Sequence, residues 1–571
     1  MKLALPVTLV YLSVTVGCCS LGGVHADNGA SFAQPRNTTP RAQSYAHYLS
    51  ALVQERRGEF DKALDEMLQA ATLDPSAPAP MLRLIRAYLQ RQDFENALKF
   101  TERLSKLTPD NAKLWILAGE IYHHLERDEE AAAAFRKAIE LDPEDTHSYD
   151  ALAKLLEDMN DLVATVEIYE RLVAMSPDSA TFHYQLGVSL ARMNDLPAAW
   201  TALERALEIK SDFVRARFLL GLVCLDEGRV EEAVLHLRRY LVRRSGDREA
   251  KERLGYGLAR LGKYAEAIEI LAGIVEGPHV ETGHHLALMY VLLRSGQPRD
   301  AERYMPPEEA PFLTSFLRAV ARRDRGEPVT PLLETLDQIE GSLEEDCDRF
   351  LGELLRKFGR EDAGAYFLDV LNEFDVTGIR SRTLRVLRGR ILMALDRFAE
   401  AREILNGALD EFGADKELHY SLAIACEELD DFDGTERYLT KVLEAAPNDP
   451  EILNFLGYLY AEHNVKLDEA EAMIRAALEQ EPESPYYLDS LGWVFYRQGK
   501  ADKAIEYIQR AILFMNGDDA ILRDHLGDAH LLNGDVRRAV IEWRKARRLD
   551  PKLEGVQEKL DQYEEQARSG K

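Results

Sequence analysis

Two adjacent histidine pairs, His123-His124 and His284-His285, and three distant cysteines, Cys224, Cys347 and Cys426, are the residues whose chemistry could reach a metal ion or a redox exchange. Their spacing argues against both. Neighbouring residues on a helix point in different directions, so an adjacent pair does not easily chelate one ion. There is no CxxC, no HExxH and no Cys/His cluster with zinc spacing, and an odd number of cysteines in the body does not suit a disulfide framework. Buried thiols are the expectation. The phosphate loop GxxxxGK(S/T) and the nucleophile elbow GxSxG are also absent. The acidic runs EEDCD and EELDDFD read as solvated helix ends and turns. The chain is therefore expected not to be an enzyme and to hold neither cofactor nor metal.

The elements that would position any binding side chain follow from a period. Pro75, Pro109, Pro143 and Pro177 stand 34 residues apart. Within one period, Trp115, Gly119, Tyr122, Ala131, Phe135, Ala138 and Pro143 are spaced as two antiparallel helices require. Gly119 and Ala131 sit where the two axes come closest, because little else fits there. Trp115, Tyr122 and Phe135 fill the space around the crossing, and Pro143 ends the second helix. The register continues through Leu186-Gly187, Leu220-Gly221 and Leu254-Gly255, and returns at Gly389, Leu456-Gly457, Leu491-Gly492 and Leu526-Gly527. Ala301 and Ala363 look like second-helix anchors in the less regular stretch between them.

This pattern resembles the tetratricopeptide repeat family. The resemblance implies an all-α fold, an α-α superhelix of roughly 13–15 helix pairs with a degenerate middle section. It further implies that first helices line a concave face, onto which the fifth, ninth, twelfth and thirteenth positions of each repeat project. Tyr184, Arg192, Phe218, Tyr256, Arg260, Tyr290 and Arg294 hold such positions in the N-terminal array. Tyr420, Asn454, Tyr458, Asp489, Trp493, Tyr496 and Arg497 hold them in the C-terminal array, followed by Asp524 and Asp528. Aromatic and arginine side chains are those that protein-binding surfaces concentrate. The alternative for each ring is packing between adjacent first helices.

The chain has 571 residues, 46% hydrophobic and 30% charged, enough apolar surface to fold and more than one core usually organises. A net charge of -28 opposes nucleic acid and anionic bilayers, which leaves protein partners. The start, MKLALPVTLVYLSVTVGCCSLGGVHA, has the layout of an export signal. Val16-Gly17-Cys18 resembles the end of a lipobox, making Cys18 a candidate for lipidation, while Val24-His25-Ala26 offers ordinary cleavage instead. The expected organisation is a signal at 1–26, a flexible tether at 27–43, an N-terminal array at 44–276, degenerate helical repeats at 277–380, a C-terminal array at 381–553, and a capping helix and tail at 554–571.

The whole layout is similar to that of bacterial outer-membrane tetratricopeptide lipoproteins, including adaptors of carboxyl-terminal processing proteases. The expected function is thus a non-enzymatic scaffold or adaptor in the cell envelope, periplasmic, and anchored to the outer membrane if Cys18 is lipidated. Its expected partners are other proteins or extended peptides, among them a periplasmic protease and its substrates. A structural role in an exopolysaccharide or other envelope export assembly is the alternative.

Overall fold

A computed structural model describes residues 39–278, 280–305, 311–334, 336–339, 351–376, 380–413, 415–515, 518–550 and 553–569. The signal, most of the tether, Cys18 and Cys347 lie outside the described residues. Among those described the chain is all-α, with 31 helices and no strand, and within each unit successive helices pack as antiparallel pairs. It divides into two compact units after Pro109, within the segment read as one N-terminal array. The first unit holds the pairs Pro40–Arg56 with Phe60–Leu73 and Pro78–Gln90 with Phe94–Leu107. Residues 40–43, assigned above to the tether, are helical. Thr39 accepts from the Ala42 amide at 3.4 Å as N-cap and Pro40 fills the first helical position, where its missing N–H costs nothing.

In the second unit the first regular pair is Ala112–His124 with Asp128–Leu141. Gly119 and Ala131 are buried in it, and a Cβ added at Gly119 would lie 2.6 Å from the Phe135 ring. The same closeness recurs at Gly187 against Leu203, Gly255 against Leu271, Gly389 against Leu405, Gly457 against Ile474, and Gly492 against Ile508. Each first-helix glycine therefore admits the large side chain that the partner helix carries four residues after its small one. Contact of this kind places two axes close enough to bury both apolar stripes.

The turns inside the pairs follow a second 34-residue rhythm. Gln92, Glu126, Asn160 and Asn194 adopt left-handed backbone, with φ of 59°, 58°, 57° and 60°, and glycines take over at 228 and 262. Each of these residues ends a first helix by letting the next amide reach back, as when Asp161 N–H donates to the Leu156 carbonyl at 2.9 Å. That aspartate then caps the second helix, its carboxylate accepting from the Ala164 amide at 3.1 Å. Asp93, Asp195, Asp431 and Asp535 do the same in other pairs.

Between the regular stretches the described helices are uneven in length: Thr282–Arg294 with Pro298–Arg303, Pro311–Asp324 with Thr330–Leu333, and Gly352–Phe358 with Arg360–Val376. Ala301 and Ala363 are fully buried, as anchors should be. The regular order resumes at Arg382–Ala394 with Phe398–Phe412, then Lys416–Glu427 with Phe432–Ala445, Pro450–Glu462 with Leu467–Gln480, Pro485–Arg497 with Ala501–Phe514, and Ala520–Leu532 with Val536–Leu549. A final helix, Val556–Ser569, lays Val556 and Leu560 against Trp543. The second unit also touches itself across a long sequence distance. Arg548 donates to Glu167 at 3.1 Å and to Glu170 at 2.8 Å, joining helix Val536–Leu549 to helix Leu162–Met175.

These contacts separate two classes of helical glycine. Gly492→Ala should destabilise the protein by about 1–3 kcal/mol through overpacking against Ile508. Gly273→Ala, in a helix with open space around the added methyl, should stabilise by about 0.5–1 kcal/mol. Thermal or denaturant unfolding of the two variants measures both signs.

Candidate functional site

The first-helix positions named above meet different fates in the two arrays. Tyr184 and Phe218 are half-buried, and each ring lies 4.9 Å from an aromatic of its own array, Phe213 and Tyr240 respectively. Inter-helix packing accounts for both. The arginines at the thirteenth position share another role. Arg260 donates to the Leu225 carbonyl at 2.8 Å and Arg497 to the Glu462 carbonyl at 2.7 Å, in each case near the end of the preceding first helix. A guanidinium there satisfies a terminal carbonyl and complements the negative end of the helix dipole. Arg192 reaches the turn after the preceding first helix, donating to Asn160 Oδ1 at 2.8 Å. These contacts tie repeats together.

Tyr256 and Tyr290 were expected to face a partner, but they are only 2% and 3% exposed because the chain covers them itself. Helix Gly352–Phe358 lies across the first helices Arg248–Arg260 and Thr282–Arg294. Phe358 sits 5.3 Å from the Tyr256 ring and 4.6 Å from the Tyr290 ring. The Lys357 ammonium stands 4.9 Å over Tyr256 and 3.6 Å from the Glu252 carboxylate. Arg294 donates to the Asp362 carbonyl at 3.4 Å and stacks 5.0 Å over Tyr366. Four of the expected binding residues, Tyr256, Arg260, Tyr290 and Arg294, are thus engaged inside the chain. Phe358, Lys357 and Tyr366 were not identified from the sequence, since the irregular middle carries no register that would bring them to this face; Glu252 holds the fifth position of a regular repeat and was passed over because it is neither aromatic nor arginine.

The C-terminal array keeps a more open face. Tyr458 and Tyr496 are half-buried, and Tyr420 donates to Glu451 at 2.5 Å. Asn454 is half-buried with its side-chain oxygen unbonded. Burial raises the Tyr458 phenol above its ordinary range, with the charges of Glu462, Asp489 and Glu427 adding to the effect. Trp493 is 7% exposed and belongs to a stack: His525 lies 4.1 Å on one side, Tyr496 lies 4.6 Å away, and the indole N–H donates to Glu462 at 2.8 Å. Asp489, 9% exposed, pairs with His525 at 2.9 Å. Burial opposes the charged form of His525, but Asp489 outweighs it and raises the imidazole's affinity for a proton. Asp524 and Asp528 are each 2.8 Å from Lys559 of the last helix, and Asp528 also accepts from Trp543 at 3.0 Å.

The histidine pairs split between separate partners. His123 meets Asp128 at 2.8 Å, while His284 stands 3.5 Å from Glu252 and His285 bonds the Tyr304 carbonyl at 2.9 Å. No three metal-ligating side chains converge among the described residues. Cys224 and Cys426 are buried, and burial pushes the Cys224 thiol up to about 12.

Models described as tetratricopeptide repeat match residues 84–157, then 151–212, 184–248, 428–487, 464–520 and 491–554, and finally 392–457. Together these segments span more than half of the chain and leave out the stretch that carries Phe358. Tetratricopeptide repeat protein 37 of Xenopus laevis is 30% identical over 80 residues, 14% of this chain and 5% of that protein. Anaphase-promoting complex subunit 3 of Schizosaccharomyces pombe is 28% identical over 123 residues, 21% of this chain and 18% of that protein. The chain thus spans only a small part of the length of these relatives. Among solved structures, Naa15/Naa10 bound to HypK-THB aligns over 92% of this chain and 96% of that one, at 13% identity and a TM-score of 0.34.

The covered face has a pH signature. Burial opposes ionisation of Glu252, yet hydrogen bonds from His284 and Tyr256 and the charge of Lys357 prevail and hold its carboxyl down at about 2. A depressed folded pKa contributes stability that is complete above the ordinary 4.5 and fades as pH falls toward 2. Glu252→Gln should therefore cost about 2 kcal/mol at neutral pH. Thermal melts of the two proteins should converge as pH drops through that window.

Proposed function

Because this chain belongs to the tetratricopeptide repeat family, whose members are generally protein–protein interaction scaffolds, we propose that it is a non-enzymatic adaptor of the cell envelope that presents its C-terminal first-helix face to another polypeptide. The observation that carries this reading is the contrast between the arrays. Residues 352–358 already cover Tyr256 and Tyr290 on two first helices before the C-terminal array, while the C-terminal face keeps half-buried Tyr458 and Tyr496 and the exposed Glu462. Half-buried aromatics offer large contact area at little entropy cost. The leader supports export, with Cys18 as the point of lipid attachment, and the repeat layout supports delivery of substrates to a periplasmic protease. The inner leucines and Trp493 serve the fold, so they are not the residues to test for binding.

Affinity capture from envelope extracts with the full chain should retain a protease or its substrate, and Tyr458→Ala/Tyr496→Ala should weaken that retention by about tenfold or more. Melting of the double variant should change far less than that of Trp493→Ala, which removes the central ring of the stack. Metabolic labelling with a fatty acid should mark the wild type and not Cys18→Ala. A mature N-terminus after Ala26 would overturn the anchor.

A further inference from the structure

The chain carries on one of its own faces a worked example of a ligand. Over the N-terminal array, Lys357 lies 4.9 Å above the Tyr256 ring, between Glu353 of its own helix at 2.6 Å and Glu252 of the face at 3.6 Å, and the next residue, Phe358, packs between Tyr256 and Tyr290. What this face holds is a cation followed by an aromatic ring, presented on a short helix. The C-terminal array offers the same ingredients to solvent. Tyr458 and Tyr496 are half-buried, the Glu462 side chain is 47% exposed, and Glu427 and Glu428 are exposed at the end of the preceding first helix.

Charge separates these carboxylates from their neighbours. Asp489 has His525, and Asp524 and Asp528 have Lys559. Glu462 accepts from the Trp493 indole at 2.8 Å, and its one cationic neighbour, Arg497, donates to the Glu462 main-chain carbonyl and stands 3.5 Å from the carboxylate. Glu427 is exposed at the end of its helix yet partly desolvated. That partial desolvation, with Glu428 and Asp430 close by, pushes its carboxyl up, the direction expected where negative charge outnumbers positive.

We propose that the face formed by Glu427, Tyr458, Glu462 and Tyr496 docks a helical segment of a partner protein that presents a lysine or arginine immediately beside an aromatic residue. The identification of this array as a protein-binding surface is its premise. A cation is drawn to the face of a partly desolvated tyrosine ring by the ring's quadrupole. The surrounding carboxylates would set register and association rate more than final affinity. The net charge of -28 further favours a cationic segment over an acidic one.

The probe is a helix-stabilised, fluorescent peptide with the sequence of residues 351–360, LGELLRKFGR, titrated against the full chain. Saturable binding is expected. Changing the lysine of the peptide to glutamate should weaken it about tenfold, and so should Glu427→Gln/Glu462→Gln in the protein. Glu479→Gln, on a second helix, should leave it unchanged, and the loss with Glu427→Gln/Glu462→Gln is read at a temperature where the melt of that variant shows it fully folded. Binding indifferent to the lysine, or to the double substitution, overturns the proposal. An acidic or uncharged aromatic peptide that binds in a Tyr458-dependent way overturns the partner chemistry but spares the protein-binding surface. Failure of all three peptides overturns both.

Discussion

Most of the regular helix pairs depend on one constraint, the closeness of two helix axes at a crossing where one helix has no side chain. Gly119 receives the ring of Phe135, Gly457 the branch of Ile474, and Gly527 the indole of Trp543, whose nitrogen a Cβ would meet at 2.4 Å. A methyl at such a point forces the partner side chain out of its well, and the axes separate. Because the large partner residue also faces the next pair, that separation would reach the neighbouring interface. The alanines at Ala131, Ala470 and Ala504, all fully buried, are the second half of the same condition.

This condition is written in residue types, which is why the fold was readable. A glycine or alanine that must be small recurs at fixed intervals, so the pairs from Ala112 to Val275 and from Arg382 to Leu549 follow from the letters alone. The left-handed turn residues were less legible, since Gln92, Glu126 and Asn160 share a backbone conformation and little side-chain chemistry. The start of the first helix was misplaced by a few residues because Thr39 and Pro40 look like linker and act as a cap.

The site was legible only in part, for a physical reason. Register tells which way a side chain points but not what else comes to meet it. Tyr256 and Tyr290 do occupy the first-helix face, yet a segment about a hundred residues farther along lies on them, and that segment has no repeat register from which its position could be deduced. The arginines illustrate a different limit. Arg260 and Arg497 recur because each closes the end of the helix before it, a structural demand that has the same period as a binding groove. Trp493 shows a third: the largest ring of the expected site is held between His525 and Tyr496. Half-buried Tyr458 and Tyr496, with Glu462, remain as the side chains on which the proposed binding rests.

The ion pairs from Arg548 to Glu167 and Glu170 change how this molecule should come apart. In an open stack, stability is a sum over adjacent modules, and unravelling at one end is not felt at the other. Here the last full module is tied to one nearly four hundred residues earlier, so fraying of the C-terminal modules must first release that tie. Exposed pairs contribute only about 0–1 kcal/mol each and weaken with ionic strength. The extent to which the two ends melt together is therefore a property that salt can adjust, leaving every glycine crossing between them untouched.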